Sequence, residues 1–183
     1  QPRIVFIETP ANPTIRMTDI RRAVATAKSL SKPALVFIDN TFLGPAFQHP
    51  LNLGVDLCLY SATKYLSGFS DMLAGVVLAK DASLVASLRG TRAVLGNILQ
   101  PDECWMLNGR LATVPLRMNR QSKSAQRIAE AIGEGRRHIL DLLLSTHYGE
   151  CYSCKRNNNC ELQSLAKEYG VDFYRFGHVQ ESQ

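Results

Sequence analysis

VDLCLYSATKYLSGFSD, residues 55–71, carries a short apolar run directly into Ser61, Thr63 and Lys64. Two runs of the same kind lie upstream, IVFIE at 4–8 and ALVFID at 34–39, and between those two an amphipathic helical pattern covers about 18–30. Strand, helix, strand is the βαβ rhythm. Near-continuous apolar strands predict a parallel sheet covered on both faces, in which ligands gather at the carboxyl ends of the strands. Asn12, Asp39 and Ser61 stand at those ends.

Downstream, AGVVLAK at 74–80 reads as a further strand. Helical patterns follow at 82–95 and 102–111, and a long one begins near Val114, with Pro101 and Pro115 where helices start. From Gly133 the text changes: GEGRRHILDLLLSTH reads as a helix, a loop rich in Cys and Asn follows, and CELQSLAKEYG reads as a helix stopped by Gly170. Residues 1–133 hold 15 basic and 9 acidic side chains, whereas 134–183 hold 6 and 7, a shift that marks a boundary near Gly133.

The 183 residues, 45% of them hydrophobic, suffice for one ordinary domain with a small appendage. No run of eighteen apolar residues is present, and the opening QPRIVFIETP lacks the order of a signal peptide, so a cytoplasmic, membrane-free protein is expected. Arg117, Arg120, Lys123 and Arg127 share a helix face, yet no aromatic residue interleaves with them. A solvated face fits better than a nucleic-acid surface, with Leu116, Ala125, Ile128 and Ile132 expected to supply apolar contacts.

A lysine after a buried strand is commonly a surface charge, but its neighbours alter the reading. Ser61 and Thr63 alternate with Ala62, which in a strand points both hydroxyls one way, as a phosphate requires. The glycines of a triphosphate-binding loop are missing. Asp39 ends the neighbouring strand. A buried carboxylate can hold a pyridinium nitrogen protonated while an amine bonds the aldehyde carbon of pyridoxal phosphate.

ETPANP at 8–13, DNTF at 39–42 and SATKYLSG at 61–68 resemble, in order and separation, the Cys/Met-metabolism family of pyridoxal phosphate enzymes. Cystathionine γ-synthase, cystathionine lyases and methionine γ-lyase are among its members. The resemblance covers residues 1–132 and implies a partial α/β large domain of the aspartate-aminotransferase type. It also implies that Lys64 bonds the cofactor aldehyde and serves as general base and acid, that Asp39 meets the ring nitrogen, that Ser61 and Thr63 bind the phosphate, and that Asn12 neighbours the 3-hydroxyl. The implied reaction is β- or γ-elimination or γ-replacement on a sulfur amino acid, in a homo-oligomer when full length. Phe69 stands where many members carry histidine. The family's glycine-rich phosphate loop, ring-stacking aromatic and substrate-carboxylate arginine are not matched, so a central piece of a longer enzyme is expected.

A second constellation is unrelated to the first. His147, Cys151, Cys154 and Cys160 fall within fourteen residues, a ligand set for structural zinc or an iron-sulfur cluster that spacing alone does not separate. The text from Arg136 to Phe176 resembles the module of one His and three Cys that holds a 4Fe–4S cluster in iron-only hydrogenases, the large NADH dehydrogenase subunit and formate dehydrogenases. That resemblance, over 134–179, implies these four residues as cluster ligands in a small helical electron-relay appendage. Elimination chemistry needs no one-electron carrier, so two fragments joined near 132–135 are expected. Cys58 and Cys104 read as core or half-buried thiols, and His138 and His178 as solvated.

Overall fold

The computed structural model describes residues 2–146, 154–157 and 159–171. They divide into two compact units, 1–120 and 121–183. The first holds strands β1 (Ile4–Glu8), β2 (Leu35–Asp39), β3 (Leu57–Ser61) and β4 (Gly75–Ala79), with helices α1 (Ile20–Lys28), α2 (Gly44–Phe47), α3 (Ala82–Leu95) and α4 (Pro101–Leu111). α5 (Val114–Thr146) passes through Gly133 and Gly135 without a break, and α6 (Glu161–Tyr169) follows.

The sheet order is β1-β2-β3-β4. β1, β2 and β3 are parallel, as their near-continuous apolar runs predict, but β4 pairs antiparallel to β3. The segment 62–74 reverses the chain locally, so no crossover helix is needed to bring β4 alongside.

Pairing of Ile7 with Ile38 and of Ile38 with Cys58 puts Val5, Ile7, Val36, Ile38, Cys58 and Tyr60 on one face. That face joins Ile20 and Ala27 of α1, Leu107 of α4, and Val114 and Met118 of α5 in the core. The alternate residues lie on the opposite face, where Ile4 and Phe6 are 50% and 59% exposed and Val77 is 48% exposed. Leu57 on that face is nonetheless buried, so among the described residues the opposite face is only partly covered, not fully as expected.

Caps follow from sequence. Asp19 accepts from the Arg22 amide at the start of α1, Asp81 accepts from Ser83 and Leu84 at the start of α3, and Gln100 with Glu103 forms a capping box on α4. Gly170, at φ +63°, ends α6 in the left-handed region. In the second unit Leu140, Leu144 and Ala166 are buried, and Arg136 donates to the Tyr169 hydroxyl at 2.9 Å.

Four side chains depart from expectation on α5: Leu116, Ile128 and Ile132 are 73%, 62% and 51% exposed, and Ala125 is exposed as well. Their periodicity matches a helix face, but in 1–120 the inward positions of α5 go to Val114 and Met118. Cys104 is also exposed, on the outer side of α4, whereas Cys58 is fully buried as expected. His138 is exposed, its Nδ1 2.9 Å from the Glu134 carbonyl; His178 lies outside the described residues.

Asn40 is the polar centre of the core. Its amide donates to the Gly44 and Gln48 carbonyls and to the Tyr60 hydroxyl, and its oxygen accepts from Gln48 Nε2 at 2.7 Å. Burial, together with the Cys58 thiol beside it, pushes Tyr60 up to about 12. A tyrosine with a folded pKa above its unfolded value of 10 holds its proton more tightly when folded. Its contribution is thus complete below pH 10 and is lost as pH rises through about 12. Spectrophotometric titration should show one tyrosine of the six ionising last, together with loss of structure, and Tyr60→Phe should remove that phase. Ionisation of all six in one phase near pH 10 with the fold intact contradicts this assignment.

Candidate functional site

Asp39 ends β2 and Ser61 ends β3. Asp39 pairs with Leu59, two residues before Ser61, so Asp39, Leu59 and Ser61 lie on one face, opposite the core face. With strands about 4.8 Å apart and a rise of about 3.3 Å per residue, the Asp39 and Ser61 Cα atoms stand about 8 Å apart. Asn12 lies in the turn after β1, its amide donating to Glu8 Oε1 at 3.2 Å.

Thr41 ties the two strand ends together. Its amide donates to Asp39 Oδ1 at 2.9 Å, and its hydroxyl oxygen accepts from the Ser61 amide at 2.7 Å. The first bond aims the carboxylate and leaves Oδ2 without a hydrogen bond among the described residues. The negative charge of Asp39 also reaches Cys58, whose thiol is pushed up first by burial and then by that charge.

After Ser61 the chain leaves the strand for a single π-type turn, Ala62–Leu66, closed by the Ser67 amide on the Ala62 carbonyl at 2.8 Å. Lys64 departs from helical geometry inside it, at φ −87° and ψ −114°. Its side chain is exposed, and among the described residues its amine meets neither a carboxylate nor a hydrogen-bond acceptor. Strand alternation therefore does not relate Ser61 to Thr63 as expected, because Thr63 is already in the turn. The Thr63 hydroxyl accepts from the Ala74 amide at 3.0 Å and donates to the Ala74 carbonyl at 3.3 Å. Contact with a phosphate requires that proton to swing away from the longer of these bonds.

Sequence reasoning missed what holds the segment after Lys64. Arg117 donates to the Tyr65 carbonyl at 2.7 Å and to the Leu66 carbonyl at 3.1 Å, instead of lying on a solvated face. Arg110 pairs with Asp71 through two bonds of 2.6 and 2.7 Å, which holds the Asp71 carboxyl below its ordinary range. Phe69 packs against both guanidinium groups, at 4.7 Å from Arg110 and 5.8 Å from Arg117.

A substituted pyridine bearing a phosphate and an aldehyde requires a carboxylate for its ring nitrogen, hydroxyls for the phosphate and an amine for the carbonyl carbon. Asp39 and Ser61 supply a carboxylate and a hydroxyl on one face of the sheet, and Thr63 and Lys64 follow in the turn after β3, with Asp39 Oδ2 and the Lys64 amine both lacking partners among the described residues, so this donor set fits pyridoxal phosphate.

Residues 1–139 match the family described as "Cys/Met metabolism PLP-dependent enzyme". Cystathionine beta-lyase MetC of Bacillus subtilis (strain 168) is 44% identical over 128 residues, which cover 70% of this chain and 32% of the relative. Cystathionine gamma-lyase of Saccharomyces cerevisiae (strain ATCC 204508 / S288c) is 34% identical over 140 residues, 75% of this chain and 36% of the relative. The crystal structure of cystathionine gamma synthase from Xanthomonas oryzae pv. oryzae, in complex with aminoacrylate and cysteine, superposes with a TM-score of 0.59 at 43% identity, covering 62% of this chain and 29% of that one. The chain belongs to the Cys/Met metabolism family of pyridoxal-phosphate-dependent enzymes. It spans about a third of the length of the relatives it matches. Residues 136–175 match, separately, the NADH-ubiquinone oxidoreductase-G iron-sulfur binding region.

Of that second constellation, His147 and Cys151 lie outside the described residues. Cys154 is exposed, with Sγ accepting from the Arg156 amide at 3.5 Å, and Cys160 is the N-cap residue of α6. Among the described residues no group of three or more His, Cys, Asp or Glu side chains is placed to hold a metal ion.

Thr63 gives a direct check on the turn. Thr63→Val deletes both bonds to Ala74 and leaves the Ala74 amide without its acceptor, at an expected cost of about 1–3 kcal/mol in urea unfolding. Thr63→Ser should recover most of the loss; equal stability of all three proteins removes the hydroxyl from the account of the turn.

Proposed function

We propose that this chain carries the cofactor-anchoring part of a pyridoxal-phosphate-dependent enzyme acting on sulfur amino acids by β- or γ-elimination or γ-replacement. The observation that carries this reading is an Asp39 carboxylate aimed by Thr41 at the end of β2, with an unpartnered Lys64 amine in the turn that follows the neighbouring parallel strand β3. Family membership and relatives named as cystathionine lyases and a cystathionine gamma synthase support it.

When bound, pyridoxal phosphate supplies an electron sink that stabilises negative charge at the substrate α-carbon. Lys64 would hold the aldehyde carbon, and its free amine would remove and return protons at the substrate carbons. Asp39 holds a positive charge on the ring nitrogen. Ser61 would donate its hydroxyl to the phosphate and Thr63 would do so once its proton turns from Ala74, while Asn12 would neighbour the 3-hydroxyl. Assembly into a homo-oligomer and a cytoplasmic location are part of the same proposal. No helix among the described residues is long and apolar enough to cross a membrane.

Hydride trapping with borohydride after incubation with pyridoxal phosphate, followed by peptide mapping, should place the label on Lys64 and lose it in Lys64→Ala. A label at Lys28, Lys32 or Lys80 overturns the assignment. Asp39→Asn should keep the label but slow substrate proton removal by about a hundredfold or more, since the charge opposite the ring nitrogen is lost.

A second reading concerns the other end of the chain and rests on the match over 136–175. His147, Cys151, Cys154 and Cys160 are proposed to ligate a 4Fe–4S cluster that relays electrons, in a segment of 134–183 distinct from the pyridoxal part at 1–132. Anaerobic assembly with iron and sulfide should give both elements in amounts that fall with Cys151→Ser, Cys154→Ser or Cys160→Ser but not with Cys58→Ser. Stoichiometric zinc without acid-labile sulfide under those conditions favours structural zinc.

A further inference from the structure

The turn that bears Lys64 can be accounted for carbonyl by carbonyl. Ala62 accepts from the Ser67 amide at 2.8 Å, Thr63 from the Ser67 hydroxyl at 3.0 Å, and Lys64 from the Gly68 amide at 2.8 Å. The next two carbonyls, Tyr65 and Leu66, are served by Arg117, through Nη1 and Nη2. One side chain from α5 thus completes the hydrogen bonding of the whole turn.

Arg117 is itself held on several sides. Its Nε donates to the Thr113 hydroxyl at 2.9 Å, Nη2 also reaches the Arg110 carbonyl at 3.5 Å, and the Phe69 ring lies against the guanidinium. Gly68 makes room for it. A Cβ at Gly68 would collide with Nη1 and Cζ of Arg117, and the backbone there, at φ +79°, already favours glycine. A half-buried fork that takes two adjacent carbonyls and rests on a glycine is a fixed mount.

We propose that Arg117 is a positioning residue: by clamping the Tyr65 and Leu66 carbonyls it fixes the backbone from which the Lys64 amine reaches the pyridoxal phosphate aldehyde. The inference rests on Lys64 being the lysine that bonds the cofactor. Loss of the clamp frees two carbonyls adjacent to Lys64, and the amine then samples positions away from the bonding distance. Orientation of this kind governs the rate at which a held amine reacts.

The test uses the full chain, pyridoxal 5′-phosphate as probe and hydride trapping, with the rate of label at Lys64 and the induced circular dichroism of the bound chromophore as readouts. Arg117→Ala should label Lys64 about tenfold more slowly and lose most of the induced ellipticity per bound cofactor, as expected for a misplaced amine. Methylguanidine added at millimolar concentration should restore both readouts in Arg117→Ala and leave the wild type unchanged, which a general loss of stability would not produce. Arg127→Ala, which removes the same charge from elsewhere on α5, should behave as wild type. If Arg117→Ala does not fold, Thr113→Val, which keeps the guanidinium but removes the acceptor at Nε, should still slow labelling by about threefold. Wild-type labelling rate and ellipticity in folded Arg117→Ala or, failing that variant, in Thr113→Val overturn the clamp. Undiminished labelling in Lys64→Ala overturns the lysine assignment instead, and the two failures are thereby told apart.

Discussion

The pairing of Asp39 with Leu59 across β2 and β3 governs which residues can meet. Side chains alternate with a period of two, so a slip of one residue would send Val36 and Ile38 to the site face and Asp39 into the core. Polar contacts pin this register at both ends. At the amino end, Asp56 Oδ2 accepts from the Val36 amide at 2.7 Å and from Lys28 of α1, also at 2.7 Å. At the carboxyl end the Asn40 amide donates to the Leu59 carbonyl at 2.9 Å, and Thr41 joins Asp39 to Ser61. A one-residue slip breaks all of these at once, which makes the register far more specific than apolar packing alone.

The core behind this register is unusual for its polar centre. Asn40, Thr9 and Ser67 are buried, and every buried side-chain N or O atom among the described residues has a partner. Gln48 links two of them, donating to the Thr9 carbonyl at 3.1 Å and to Asn40 Oδ1. Such a network adds little net stability over apolar packing but is directional, so it fixes the loop after β2 in one conformation. That loop carries Thr41. The link from buried polar network to aimed carboxylate is thus a short covalent one.

What the sequence revealed of this arrangement tracks how local each feature is. The ends of β2 and β3 are readable because a polar residue directly after an apolar run marks a strand end, and Asp39 and Ser61 fall there, with Lys64 in the turn that follows. Helices α1 and α3 are legible through their periodicity, and α4 and α6 also through Pro101 at the start of one and Gly170 at the end of the other. The direction of β4 was not, since a Val-rich strand looks the same in either orientation. The bonds of the Thr63 hydroxyl to Ala74 are not legible either, because they are set by a turn that strand alternation does not describe. Arg117 was read as a solvated charge because its acceptors are 52 and 51 residues away, and helical periodicity carries no information about such a distant carbonyl.

The exposed face sets the limit of what these residues do by themselves. Asp39 and Ser61 share their face with Phe6 and Val77, which remain open to water among the described residues. A carboxylate opposite a ring cation about 4 Å away gains only about 1 kcal/mol in bulk water, and several times that at the lower effective dielectric near a protein surface. The groups proposed as polar anchors stand at the strand ends, but a face this open supplies only part of the dry surroundings that would make their charges effective. The matched stretch is only 32% of the Bacillus subtilis relative, and the apolar surface left on β1 and β4 is the kind that further packing covers. The chemistry assigned to Lys64 and Asp39 thus depends on two separable conditions. Register and clamp supply geometry within these residues, and burial of the Phe6 and Val77 face must supply the field.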